Sequence, residues 1–200
     1  MKRIALSKLQ NWKNSLGRKP LIIRGARQTG KTWLMKEFGK TSFNETIYIN
    51  FENEPALKNL FTQDYDVQRI LSTIQLYHGK KITPDDTLII FDEIQAVKGG
   101  ITSLKYFNEN APQYAIIAAG SLLGISLHEN QSFPVGKVSF LDLYPLSFSE
   151  FLIASGKEML CDMLQQNQWS ILEPFHNELL NLLKTYLFVG GMPEVVQKWI

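Results

Sequence analysis

The chain has 200 residues, 44% of them hydrophobic and 20% charged, with a formal net charge of +2. That length supports one good-sized core, or one core and the start of a second lobe, and so small a charge gives no bulk argument for nucleic acid or an anionic membrane. The single cysteine, Cys161, excludes an internal disulfide; no apolar run approaches the roughly eighteen residues of a spanning helix, and residues 1–7 carry no signal-peptide core, so the expected location is the cytoplasm with no membrane partner.

Ile4, Leu6, Leu9, Trp12 and Leu16 are spaced as a short amphipathic helix ending near Gly17. Pro20–Ile23 reads as a short buried strand, followed by a glycine turn at Gly25. A helix opens at Lys31 and runs through Phe38, with Gly39 as its expected stop. Thr46–Phe51 is rich in β-formers and reads as a second strand. Val67, Ile70, Leu71, Ile74 and Tyr77 recur at helical spacing, and Pro84–Asp86 is a turn.

Thr87–Phe91 is almost wholly apolar, as in the middle of a parallel sheet. Leu104 and Phe107 lie on a helix after Gly99-Gly100, and Tyr114–Ala119 is a fourth apolar strand. Residues 125–140 are less regular, with a fifth strand expected at Val138–Leu141. From about Phe148 the pattern turns helical, over Glu158–Gln166 and Pro174–Phe188. Gly190–Pro193 breaks the chain, and a further helix is expected from Glu194. Strands alternating with helices imply a parallel sheet covered on both faces. The expected organisation is an α/β core over 1–150 and the start of a helical C-terminal region over 151–200, cut short.

Gly25-Ala26-Arg27-Gln28-Thr29-Gly30-Lys31-Thr32 matches G-x-x-x-x-G-K-[ST] in full. A loop that wraps a phosphate chain closely needs glycine at Gly25 and Gly30. Consecutive N–H groups from about Gln28 to Trp33 can then face the phosphates, and the helix N-terminus adds positive potential. Lys31 is expected to bridge the β- and γ-phosphates of ATP, and the Thr32 hydroxyl to bind Mg2+. The motif follows an apolar strand and opens a helix, as that chemistry requires.

Leu88–Phe91 ends in Asp92-Glu93. Acids at the tip of a central strand lie where open α/β sheets bind ligands. Asp92 is the expected magnesium partner, and Glu93 is placed to orient or deprotonate an attacking water. A strand must separate the phosphate loop from the acids in the sheet, and Thr46–Phe51 is either that strand or a neighbour. Ser121, just past the fourth strand, has two readings: a sensor of the γ-phosphate or the water, and an N-cap for the helix that follows.

These motifs occur together with Phe91–Gln95, Ala119–Gly124, Ser132–Val138, Leu143–Phe151 and Gly190–Val196. In that order they resemble the prokaryotic AAA-type P-loop ATPases that carry a C-terminal domain of unknown function, over nearly the whole chain. The resemblance implies a three-layer α/β ATPase core followed by a helical lid and a further C-terminal domain, with Lys31 and Thr32 as the Walker A pair, Asp92 and Glu93 as the Walker B acids and Ser121 as the sensor. Many relatives have Pro-Gly-Arg where this chain has Val135-Gly136-Lys137; lysine lacks the planar fork of an arginine finger.

Arg24 and Arg27 flank the loop, Glu52 follows the second strand and Gln95 follows the acids; for each a solvated or structural role competes with a functional one. His78, His128 and His176 share no metal-ligand spacing, and packing explains the four tryptophans better than base stacking. Two functions are carried forward. One is an ATPase switch or motor. The other is a nucleotide-gated binding or regulatory module with negligible turnover that acts on a nucleic-acid or protein partner. A homo-oligomer is an expected partner state. A small-molecule kinase lacks an Arg-rich lid here, and a GTPase lacks its Asn-Lys-x-Asp motif.

Overall fold

Five short runs of branched and apolar residues become strands: β1 (Leu21–Arg24), β2 (Glu45–Asn50), β3 (Thr87–Asp92), β4 (Ala115–Ala119) and β5 (Ser139–Asp142). The structure, a computed structural model, describes residues 2–120, 134 and 136–200. Among the described residues all strand pairs are parallel, and the order across the sheet is β2-β3-β4-β1-β5. β3 and β4 are buried at every residue, because a strand covered on both faces has no solvent side to make polar.

The helices that supply this cover are α2 (Lys31–Ser42), α3 (Val67–His78) and α4 (Gly100–Asn110), with α1 (Ala5–Lys13) against α2. On one face Ile22, Ile47, Ile49, Ile89 and Phe91 meet Ile70, Ile74 and Leu104 in one core cluster. Side chains alternate across a strand, so Ile23, Tyr48, Ile90 and Asp92 point to the opposite face, where α2 packs on β2, β3 and β4. Trp12 of α1 leans on Phe38 of α2. This is the three-layer α/β arrangement that the alternation of strands and helices implied.

Of the two places open to the second strand, it takes the neighbouring one: β4 separates β1 from β3, and β2 lies beside β3 at the sheet edge. Gly39 does not stop α2; it is buried inside the helix, which continues to Ser42. A Cβ at Gly39 would come within 2.4 Å of the Thr46 hydroxyl and 2.8 Å of its methyl, so the glycine lets α2 close onto β2. Close approach, not chain reversal, explains it.

The described residues group into two compact units. The sheet and α2–α4 lie in the larger, which takes in Ser7–Ala26 and Lys31–Leu143. The smaller joins the N-terminal residues up to Leu6, Arg27–Gly30 and Tyr144–Ile200. Its helices are α5 (Phe148–Ala154), α6 (Glu158–Gln165), α7 (Trp169–Leu172), α8 (His176–Val189) and α9 (Pro193–Trp199).

A capping box starts α5: the Ser147 hydroxyl accepts from the Glu150 N–H, and the Glu150 carboxylate accepts from the Ser147 N–H. Leu146, Phe151 and Val196 form a small core with Phe148 and Tyr186, and Cys161 is a buried free thiol. α9 starts at Pro193 rather than Glu194, because the fixed φ of proline suits the first helical position.

Gly39→Ala tests the α2–β2 contact. In an open helix that change gains about 1 kcal/mol, whereas overpacking costs about 1–3 kcal/mol. A net loss of stability is expected in denaturant melts, recovered in large part by adding Thr46→Ala, which removes the two nearest atoms.

Candidate functional site

In the larger unit, β1 delivers the chain to the start of α2, and β3 ends in the two acids. Asp92 is only 3% exposed, and a buried carboxylate needs donors. It has three. Its Oδ2 accepts from the Thr32 hydroxyl at 2.8 Å and from the Tyr48 hydroxyl at 2.8 Å, and its Oδ1 accepts from the Glu93 N–H at 3.1 Å. The first bond joins the first turn of α2 to the tip of β3, so the structure brings Thr32 and Asp92 together as the motifs required.

Lys31 is buried, and its ammonium donates to the carbonyls of Gly25 and Ala26 at 2.8 and 2.7 Å. Those bonds curl the entry of the loop around the amine. Glu93 follows Asp92 in the left-handed region, at φ 50° and ψ 44°, a conformation that is uncommon for a residue with a Cβ. The turn takes the Glu93 side chain out of the strand's alternation. Its Oε2 accepts from the Gln95 side-chain amide, so Gln95 is a direct partner of the second acid.

Backbone torsions within the loop are as unusual as its sequence. Gln28 has φ 65° and Gly30 has φ 88°, and the glycine adopts its angle without steric cost. Ala26, Arg27 and Gln28 are exposed, while Thr29 is fully buried. Within the smaller unit the Thr29 carbonyl accepts from Arg3 Nη1 at 2.9 Å. Trp33 is 42% exposed, on the second residue after the lysine.

The remaining candidates separate. Ser121 lies outside the described residues, as do His128 and Val135. Arg24 makes two bonds to Asp142, both at 2.9 Å, and lies over the Phe140 ring. Lys137 pairs with Glu109 at 2.9 Å. Glu52 is exposed.

Reading the sequence missed Tyr48. It sits on β2 between the buried Ile47 and Ile49, facing the side of the sheet that Asp92 faces. Lys36 Nζ stands 3.7 Å from the centre of its ring. Burial, then the hydrogen bond and the charge of Asp92, push the Tyr48 phenol well above its ordinary range, so it remains a donor. The available signal was the alternation in Thr46-Ile47-Tyr48-Ile49-Asn50, which sets polar groups on the face opposite the apolar ones.

A hydroxyl and a carboxylate that converge at 2.8 Å are hard oxygen donors, the kind Mg2+ takes when substrate phosphates complete its shell. Among the described residues no three His, Cys, Asp or Glu side chains could hold a metal by themselves.

The family described as "AAA domain" matches residues 17–152. No curated protein matches the chain. Among solved structures, the Walker-type ATPase PABY2304 of Pyrococcus abyssi is 16% identical with a TM-score of 0.51, over 98% of this chain and 65% of that one. A chain from the structure of Drosophila ORC bound to DNA is 17% identical with a TM-score of 0.53, over 96% of this chain and 58% of that one. At these identities the likeness is one of fold, and the chain spans less than two thirds of either protein. Among the described residues no helix is long and apolar enough to cross a membrane.

Tyr48→Phe removes one of the three donors to Asp92 and is expected to cost about 1 kcal/mol of stability, read from denaturant midpoints. The folded protein holds the phenol proton more tightly than the unfolded chain. The gap between wild type and variant should therefore stay constant below about pH 10 and shrink as the pH rises above it.

Proposed function

The chain belongs to the AAA domain family, a nucleotide-binding module of the ATPase type, and from that premise we propose that it binds ATP with Mg2+ at Gly25–Thr32 and hydrolyses it with Asp92 and Glu93. The observation that carries the reading is the 2.8 Å hydrogen bond between the Thr32 hydroxyl and Asp92. It puts the last residue of the phosphate motif and the first acid at one point.

In this reading the N–H groups of 28–33 and the N-terminus of α2 receive the phosphates, and the Lys31 ammonium leaves its carbonyl partners to bridge the β- and γ-phosphates. Thr32 and Asp92 would hold the metal, which when bound would offset the charge that develops on the phosphates in transfer. Glu93 takes the proton of the attacking water or orients it. Its reversed backbone, which lifts the carboxylate out of the strand line, supports that role. Ser121 remains the proposed sensor. Residues 151–200 are proposed as the start of a helical lid that nucleotide exchange reorders, in a protein of the cytoplasm that acts as a homo-oligomer or on a nucleic-acid or protein partner. The net charge of +2 lends the nucleic-acid option no support.

A second reading, a nucleotide-gated module with negligible turnover, is favoured by one contact. The Gln95 amide occupies one oxygen of Glu93, and a carboxylate held there is a weaker base for water.

Lys31→Ala should weaken ATP binding by at least about tenfold in calorimetric titration, because the charge facing two phosphates is gone; retained affinity removes the cradle. Glu93→Gln should leave ATP affinity unchanged and lower phosphate release by about a hundredfold or more. A wild-type rate already as low as that of Glu93→Gln selects the second reading.

A further inference from the structure

A second well-connected pair of buried charges lies outside the phosphate motif and apart from Asp92. Arg3 is 6% exposed and Glu150 is 5% exposed, and Arg3 Nε donates to Glu150 Oε1 at 3.0 Å. The other two nitrogens of the guanidinium are also engaged: Nη1 donates to the Thr29 carbonyl at 2.9 Å and Nη2 to the Tyr144 carbonyl at 2.7 Å. Glu150 is fixed in turn. The Ile4 N–H donates to its Oε1 at 2.8 Å, and the Ser147 N–H donates to its Oε2 at 3.0 Å in the capping box of α5. All of these residues belong to the smaller unit.

The contact with Thr29 bears on the phosphate loop through the geometry of the peptide bond. The Thr29 carbonyl and the Gly30 N–H share one planar trans unit and point in opposite directions. Whatever holds the oxygen aims the N–H. Gly30 has no Cβ to limit its own torsions and sits at φ 88°, so its own chemistry constrains this peptide little. On its Arg3 side it has close neighbours: a Cβ built on Gly30 would lie 3.7 Å from Arg3 Nη1 and 3.7 Å from Pro193 Cγ.

We propose that Arg3, held by Glu150, is a positioning residue for nucleotide binding: its guanidinium fixes the Thr29–Gly30 peptide plane and so aims the Gly30 N–H at the phosphates. This rests on the ATP reading above and adds a residue outside the phosphate motif to it. The rigid planar fork is what the task needs, because three acceptors at fixed angles must be met by one side chain. Glu150 acts at one further remove: it keeps the fork in register with the start of α5.

Arg3→Lys can retain the ion pair with Glu150 but cannot reach all three acceptors. The double variant Arg3→Met with Glu150→Gln removes both charges and leaves an amide at N3 of the capping box, where glutamine also serves. ATP affinity is measured by calorimetry on the full chain with Mg2+, on protein shown to be folded by its melting transition, and the Gly30 amide resonance is followed by NMR on addition of ATP.

Wild type should bind ATP and shift the Gly30 resonance. Both variants should bind at least about tenfold more weakly, with the Gly30 shift reduced or lost. Affinity within twofold of wild type in a folded variant overturns the role, and reduces the Arg3–Glu150 pair to a structural tie that affects melting alone. Arg3→Lys decides the matter by itself should the double variant not fold. Wild type that binds no ATP overturns the nucleotide reading and this inference with it, whereas wild type that binds beside unaffected variants overturns this inference only.

Discussion

Everything at the candidate site depends on keeping one carboxylate out of water at the end of a strand. Asp92 is buried, and an ionised acid without partners there would be too costly to retain. The hydroxyls of Thr32 and Tyr48 and the N–H of Glu93 supply those partners. Each comes from a different element: the first turn of α2, the edge strand β2 and the turn after β3. The requirement to satisfy one acid therefore sets the distance between the helix that opens at the phosphate motif and the strand that carries the acids. The sheet order makes this possible, because β4 spaces β1 from β3 and α2 crosses from the end of β1 over β4, β3 and β2.

Part of the backbone strain lies where the chemistry is proposed. Gln28 and Glu93 both hold positive φ with a full side chain, a cost of about 1 kcal/mol or more each that the surrounding structure must offset. At Glu93 the consequence is direction: a residue that would continue the alternation of β3 turns aside to face Gln95. At Gln28 the strain lies one residue before Thr29, whose carbonyl is gripped by Arg3. The loop of strained and glycine residues is held from within by the bonds of Lys31 to the Gly25 and Ala26 carbonyls and from outside by Arg3.

Much of the fold was legible in the chain itself. Leu88-Ile89-Ile90-Phe91 and Ala115–Ala119 could hardly be other than buried parallel strands, and G-x-x-x-x-G-K-[ST] after an apolar strand states its own chemistry. Such features are local: each is a spacing of residue types within one element, and periodicity reports it. Gly39 shows where local reading fails. Its place at the end of an apolar run looks like a helix stop, yet its role is to admit Thr46 from β2, a neighbour that helix periodicity does not reveal.

The amino-acid sequence by itself determined the elements, the phosphate motif and the acid pair, because backbone hydrogen bonding and hydrophobic period act over a few residues. Only the tertiary structure decided which strand separates β1 from β3, that Tyr48 donates to Asp92, and that Arg3, paired with Glu150, holds the Thr29 carbonyl. Arg3 and Glu150 are 147 positions apart, and no pattern along the chain relates them. Their pairing comes from the need to satisfy every buried charge, a condition that exists only once the chain has folded and water has been excluded.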